Sequence, residues 1–118
     1  PERKLLKDKA TSVTIPAFEG EMTILSNHIS LITFLRPGII TVISEKEEKY
    51  FVEEGTVEFS NNNLSILSST ILEFKTLTND KIAKMIEESK SQLKKENLGD
   101  KKRYIFSHKI DSLNKINL

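Results

Sequence analysis

In the first two thirds of the chain apolar side chains recur at every second position in short runs, and in the last third they recur at every third or fourth. The first period belongs to half-buried strands and the second to amphipathic helices. Residues 10–15 put Val13 and Ile15 on one side and Ser12 and Thr14 on the other, which predicts a strand that Pro16 ends. Residues 1–9 are charged and read as irregular apart from Leu5-Leu6. Residues 22–25 and 31–35 predict two more strands around a polar tip at Ser26, Asn27 and His28, and Arg36-Pro37-Gly38 carries turn chemistry. Strands follow over residues 39–43, 50–52, 56–59, 64–67 and 71–74, with a polar connection over 44–48 and a turn at Glu54-Gly55. Asn61-Asn62-Asn63 predicts a tight hairpin, because asparagine tolerates positive φ. Short strands with turn signals roughly every 8–12 residues are the pattern of an antiparallel sandwich or barrel.

After Phe74 the period lengthens. Thr78-Asn79-Asp80 supplies N-cap residues, and Ile82, Met85, Ile86 and Leu93, with Ser89 between them, share one helical face. Asn97-Leu98-Gly99 marks a stop, and Asp100 caps a second helix whose stripe is Phe106, Ile110, Leu113 and Ile116. The expected fold is therefore mixed β then α: an N-terminal antiparallel β-sandwich over residues 1–75, followed by a C-terminal two-helix hairpin over residues 76–118. Both stripes read as packing faces rather than as a cofactor box.

Composition narrows the picture. No run approaches the ~18 apolar residues of a spanning helix, and no charged start leads into an apolar signal segment. The absence of cysteine excludes disulfides and thiolate metal sites. The formal charge of +1 conceals an asymmetry. Residues 1–74 hold seven Lys/Arg and eleven Asp/Glu, whereas residues 75–118 hold eleven and six. An acidic front and a basic tail suggest different partners for the two parts.

Catalytic arrangements are missing from the sequence. Gly20, Gly38, Gly55 and Gly99 are isolated, so there is no phosphate-binding glycine loop, and His28 and His108 lie far apart with no nucleophile elbow or metal-ligand spacing. Glu19 and Glu21 would share one side of an extended strand, a pair better suited to solvent or a partner than to acid/base chemistry. Lys101-Lys102-Arg103 with Tyr104 and Phe106 has the outline of a nucleic-acid patch. Its aromatics fit the helical stripe, however, and Glu87, Glu88, Glu96 and Asp111 are interspersed, so a charged helix face is the plainer reading.

The run Glu19-Gly20-Glu21-Met22-Thr23-Ile24-Leu25-Ser26-Asn27-His28-Ile29-Ser30-Leu31-Ile32, followed by Leu35-Arg36-Pro37-Gly38, resembles a segment of the F-type ATP synthase epsilon subunits. In that family, whose mitochondrial counterpart is the delta subunit, the segment reads E-G-E/D-x-G-I/V-L-P-G-H-A-P-L-L/I, then L-K/R-P-G. Tyr50-Phe51-Val52-Glu53-Glu54-Gly55-Thr56-Val57-Glu58-Phe59 is similar to the family's Y-x-V-x-G-G-x-x-E-V. Departures fall in the turns: Thr23 for Gly, Ser26-Asn27 for Pro-Gly, Ile29-Ser30 for Ala-Pro and Glu54-Gly55 for Gly-Gly. The resemblance also implies about ten further residues forming an edge strand before Pro1, so the first edge strand is expected to be missing.

The resemblance implies a non-catalytic rotor subunit at the foot of the central stalk, coupling proton flow to ATP synthesis without a cofactor. The sandwich would pack on the gamma subunit and touch the c-ring, with Glu21, Ser26, Asn27, His28 and Arg36 as interface residues. It would lie peripheral to the energy-transducing membrane without inserting, on the cytoplasmic face in a bacterium or the matrix side in an organelle. The hairpin of some relatives inhibits hydrolysis by meeting the catalytic beta subunits, a role that would fall here to Lys101, Lys102, Arg103 and Lys109. In the family's I/L-D-x-x-R-A nucleotide motif only Asp80 is kept, and Ala83 stands where the arginine would contact phosphate, which argues against nucleotide sensing. The alternative is a free-standing β-sandwich binding module whose basic tail recognises an anionic polymer.

Overall fold

The computed structural model describes residues 4–26 and 30–116, with residues 4–8 given by backbone position alone. Nine antiparallel strands run in order: β1 (Lys4–Lys9), β2 (Ser12–Ala17), β3 (Gly20–Leu25), β4 (Leu31–Leu35), β5 (Gly38–Ile43), β6 (Glu47–Val52), β7 (Gly55–Ser60), β8 (Asn63–Ser68) and β9 (Ile71–Glu73). A 3₁₀ turn at Phe74–Thr76 leads to α1 (Asn79–Leu93) and α2 (Asp100–Asn114). Pairing follows β1-β8-β7-β4-β2-β5-β6-β9, with β3 on the other edge of β2. The β4–β2 link is a single pair, Ala17 with Leu35. The order therefore folds at that corner into two layers, β1-β8-β7-β4 and β3-β2-β5-β6-β9, and β1 returns beside β9.

Alternation produces the core. Val57, Phe59, Leu64, Ile66 and Leu35 of one layer meet Val13, Ile15, Ile24, Ile40, Val42, Tyr50 and Val52 of the other in one buried cluster. Ser68 is the polar residue buried on β8, and its hydroxyl lies 3.0–3.2 Å from the carbonyls of Glu53, Glu54 and Thr70, which stitches the β6–β7 turn to the end of β8. A second cluster joins Phe51 on the outer face of β6 to Leu77, Ile82 and Leu113, so the hairpin covers that layer from outside.

Several boundaries differ from the sequence pattern. Residues 4–9, read as irregular, form β1 and pair with β8 from Lys4↔Ser68 to Lys9↔Asn63. The edge beside β8 is thus held by a segment whose three lysines, Lys4, Lys7 and Lys9, hid its strand character. Pro16 lies inside β2 rather than ending it. Pairing of β2 with β5 stops at Thr14↔Thr41, so the missing N–H breaks no ladder bond to β5, while the Pro16 carbonyl accepts from the Arg36 N–H at 2.9 Å. Strand β6 starts three residues earlier than residue 50, because Glu47 and Glu48 pair with Ile43 and Val42. The hairpin turn uses Asn61 and Asn62 at φ 51° and 63°, as expected for two positive-φ positions, and Asn63 already belongs to β8.

The helices also shift. Thr78 caps α1 by accepting from the Lys81 N–H, while Gly99, not Asp100, occupies the N-cap of α2. The left-handed residue between the helices is Asn97 at φ 61°. On α2 the buried residues are Ile105 and Leu113, with Phe106 and Ile110 half-buried. Two packing directions, toward α1 and toward the sandwich, widen the stripe beyond one row.

Gly55 fixes how closely β7 and β8 approach. A Cβ there would stand 2.0 Å from the Leu67 carbonyl oxygen, which is backbone and cannot rotate aside, whereas a Cβ on Gly99 meets nothing within 4 Å. Gly55→Ala is expected to destabilise the fold by about 2 kcal/mol or more, and Gly99→Ala, which only puts a poorer N-cap on α2, to cost less than about 1 kcal/mol, both read from urea midpoints. Equal midpoints for the two variants would refute the close-approach constraint.

Candidate docking surfaces

Three surfaces differ in what covers them. The first is the outer face of β4, β7 and β8. Phe34 pairs across to Thr56 and Thr56 to Leu67, and Ile32 pairs to Glu58 and Glu58 to Ser65. Ile32 is 74% exposed and Phe34 67%, the two largest exposures among the large apolar residues described. Their neighbours on β4, Leu31, Thr33 and Leu35, turn the other way toward the core side. A recess at the adjoining corner is lined by Phe18, Glu19, Glu21, Met22 and Phe34.

The second surface is the polar end of the sandwich. The Ser26 N–H donates to the Thr11 carbonyl at 2.8 Å, the Thr11 N–H to Ile43 at 2.8 Å, and the Ala10 N–H to Asn62 at 3.1 Å. Ser30 and Ser60 hydroxyls lie 3.1 Å apart. Backbone bonds therefore gather the β3–β4 connection, the β1–β2 link and the Asn61-Asn62 turn at one end.

The third is the contact between α2 and the opposite end. Tyr104 stacks on Phe18 with centroids 5.5 Å apart and an 11° interplanar angle. Its hydroxyl donates to the Phe18 carbonyl at 2.5 Å and accepts from Arg36 Nη1 at 3.1 Å. Ser112 donates to the Pro37 carbonyl at 3.2 Å, and Lys109 Nζ lies 2.6 Å from Glu53 Oε1 with both side chains largely buried. His108 stands edge-on to Tyr104, and burial, then Arg36, hold its imidazole below its ordinary value of 6.5.

The candidate residues from the sequence are divided among these surfaces. Ser26 belongs to the polar end. Asn27 and His28 lie outside the described residues. Glu21 pairs with Pro16 near the opposite end of β3, and Arg36 also binds Pro16, so these two sit by α2 rather than with Ser26. Glu19 falls in the turn between β2 and β3, so it does not share a strand face with Glu21. Lys101, Lys102 and Arg103 are exposed on the first turns of α2, whereas Lys109 is engaged by Glu53. Asp80 is exposed in the first turn of α1. Among the described residues no group of carboxylates and histidines could hold a metal ion. Two features were missed: the outward Ile32 and Phe34, and the Tyr104 clasp. In the run Leu-Ile-Thr-Phe-Leu only Thr33 is polar, and it lies on the core side, so alternation gave the wrong signal about which face is exposed.

An acidic two-layer sandwich carrying a docked helical hairpin, with a bare apolar strand face, defines a subunit that works by contact. Residues 1–74 match the family model described as the ATP synthase Delta/Epsilon chain, beta-sandwich domain. The chain is 45% identical over 119 residues to the ATP synthase epsilon chain of Pelagibacter ubique, covering 99% of this chain and 92% of that one. The ATP synthase epsilon chain of Allorhizobium ampelinum is 36% identical over 95 residues, 79% and 70% of the two chains. A chain in the Euglena gracilis mitochondrial ATP synthase structure of OSCP, F1 and c-ring superposes with a TM-score of 0.65 at 22% identity, covering 91% of this chain and 68% of that one. This chain belongs to the ATP synthase delta/epsilon family. Its curated relatives are ATP synthase epsilon chains, a subunit that is not itself catalytic. No helix among the described residues is long and apolar enough to cross a membrane.

Tyr104→Phe keeps the stack on Phe18 and removes both hydrogen bonds of the hydroxyl. It is expected to weaken α2 docking by about 1–2 kcal/mol, read as faster amide hydrogen exchange in α2 with strand protection unchanged. Native protection of α2 in this variant would show that the hydroxyl contributes nothing.

Proposed function

We propose that the chain is a rotor subunit of the proton-translocating synthase that docks on the gamma subunit through the outer face of β4, β7 and β8. The observation that carries this reading is the pair Ile32 and Phe34, exposed side by side on a sheet face that no helix covers. Burying both would contribute roughly 3–5 kcal/mol of apolar transfer, enough for a central anchor ringed by polar neighbours such as Thr56, Glu58 and Ser65. The polar end, with Ser26, Ser30, Ser60 and Asn61, suits the hydrated loops of a c-ring, where a wet contact leaves no buried charge unpaired. Asn27 and His28 would extend that end. With the c-ring below, the sandwich lies on the cytoplasmic face of a bacterial inner membrane, or the matrix side in an organelle.

Inhibition of hydrolysis through the hairpin is a separate step. Lys101, Lys102 and Arg103 are already exposed to meet acidic loops of the beta subunits, but Lys109 would first have to leave Glu53. Ala83 at the position of a phosphate-binding arginine argues against control of that step by ATP.

Phe34→Asp and Ile32→Asp place a carboxylate in the proposed anchor at positions already exposed. Each is expected to weaken binding to the gamma subunit at least about 30-fold in a reconstituted complex while leaving the thermal midpoint of the free chain within a few degrees. Unaltered gamma affinity in both variants would move the interface elsewhere. Failure of the native chain to bind gamma would remove the rotor assignment.

A further inference from the structure

The contact between α2 and the sandwich contains a histidine packed edge-on against the side chain that ties the two together. The His108 ring lies 4.3 Å from the Tyr104 ring, centroid to centroid, at 61°. Tyr104 is the side chain that ties α2 to both neighbouring turns, stacked on Phe18, bonded to the Phe18 carbonyl and holding Arg36. Three charged groups act on the imidazole: Arg36 from the turn between β4 and β5, and Asp111 and Lys115 from α2 itself. The sandwich carboxylate that α2 engages, Glu53, is paired with Lys109. A proton added to His108 therefore meets one cation across the interface and one along the helix, with only Asp111 to offset them.

We propose that acidification loosens α2 from the sandwich by placing a second cation, the imidazolium of His108, beside Arg36 against Tyr104. The hydroxyl of Tyr104 accepts from the Arg36 guanidinium, so displacement of either ring or guanidinium breaks the same clasp. Loss of the clasp leaves Leu113 as the buried α2 residue of the cluster over Phe51, with Ser112 to Pro37 and Lys109 to Glu53 as the remaining polar ties to the sandwich.

The direction follows from linkage. Burial first and Arg36 second lower the docked pKa of His108, Lys115 adding to them and Asp111 opposing, while the undocked helix has the ordinary value of 6.5. The undocked form then binds the proton more readily. Docking is at full strength above 6.5 and weakens as pH falls from 6.5 through the docked value. Carboxylates ordinarily titrate near 4, so a range of about pH 8 to 5.5 isolates the imidazole.

The chain has no cysteine, so a pair of spin labels at Glu54→Cys and Lys101→Cys reports docking. Both positions are exposed and border one recess at the start of α2. The short inter-label distance present at pH 8 is expected to give way to a broad, longer distribution at pH 5.5, with helical circular dichroism retained. His108→Gln should keep the short distance at both values, and His28→Gln should respond as the native chain does. If Gln itself undocks α2 at pH 8, His108→Phe supplies an apolar ring that does not titrate and should hold the short distance throughout. A native distance that does not change with pH, or a full response in the non-titrating variant that docks, overturns the proposal. No other subunit is needed, so the outcome is independent of the rotor assignment.

Discussion

Tyr50, Phe51 and Val52 are three successive buried residues on one strand, and successive side chains of a strand point to opposite faces. Tyr50 and Val52 enter the core between the layers, so Phe51 must point outward and needs a cover of its own. The helical hairpin is that cover. Two 15-residue helices are marginal in isolation, and what holds them is the apolar surface they gain by lying over Phe51 with Leu77, Ile82 and Leu113. Burial of the Phe51 ring contributes roughly 2–3 kcal/mol, which is of the same order as the net worth of the polar ties around it.

That balance sets the character of the docked state. Hydrogen bonds from Tyr104 and Ser112 are each worth about 1 kcal/mol net, and a largely buried pair such as Glu53–Lys109 recovers in attraction little more than its desolvation costs. The polar groups therefore specify where α2 sits more than they hold it there. They connect the helix to the turn after β2, the turn after β4 and the turn after β6, three corners of the same end of the sandwich. At the opposite end backbone bonds among the described residues Thr11, Ser26, Ile43 and Asn62 hold the connections together. The chain's own hairpin thus occupies one end, and the exposed β4 face runs from it toward the other.

The two-layer fold was legible because alternation and turn chemistry agreed over most of residues 10–74: Val13, Ile15, Val57, Phe59, Leu64 and Ile66 all face inward as their period requires. Strand β1 was not, because Lys4, Lys7 and Lys9 suit an exposed edge and disguise the pairing with β8. Pro16 misled for a related reason. A proline stops a strand only where its absent N–H was needed, and at the corner where β2 parts from β5 it was not. The candidate contact residues were legible only as a stretch of sequence. Glu21, Ser26 and Arg36 lie within sixteen residues, yet a strand of six residues separates its two ends by about 17 Å. A local motif could not show which member goes to which end.

The exposed face and the docked helix answer to one constraint. A two-layer sandwich has two outer faces, and this chain gives each an aromatic residue: Phe51 on the layer that the hairpin covers, and Phe34 on the layer left bare. On the covered side the apolar demand is met within the chain, and polar turns fix the helix in register. On the bare side Ile32 and Phe34 stay in water, the cost that the proposed partner surface would remove. The covered face belongs to a segment joined through Phe74–Thr76 and Leu77, and the buried cluster between the layers takes none of its members from α2. Docking of the hairpin and the proposed docking on the gamma subunit would therefore use opposite faces of the sandwich and would not compete for the same surface. With the partner on the proposed β4 face, a change in one contact would not require opening the other, and the subunit would remain attached while its helices move.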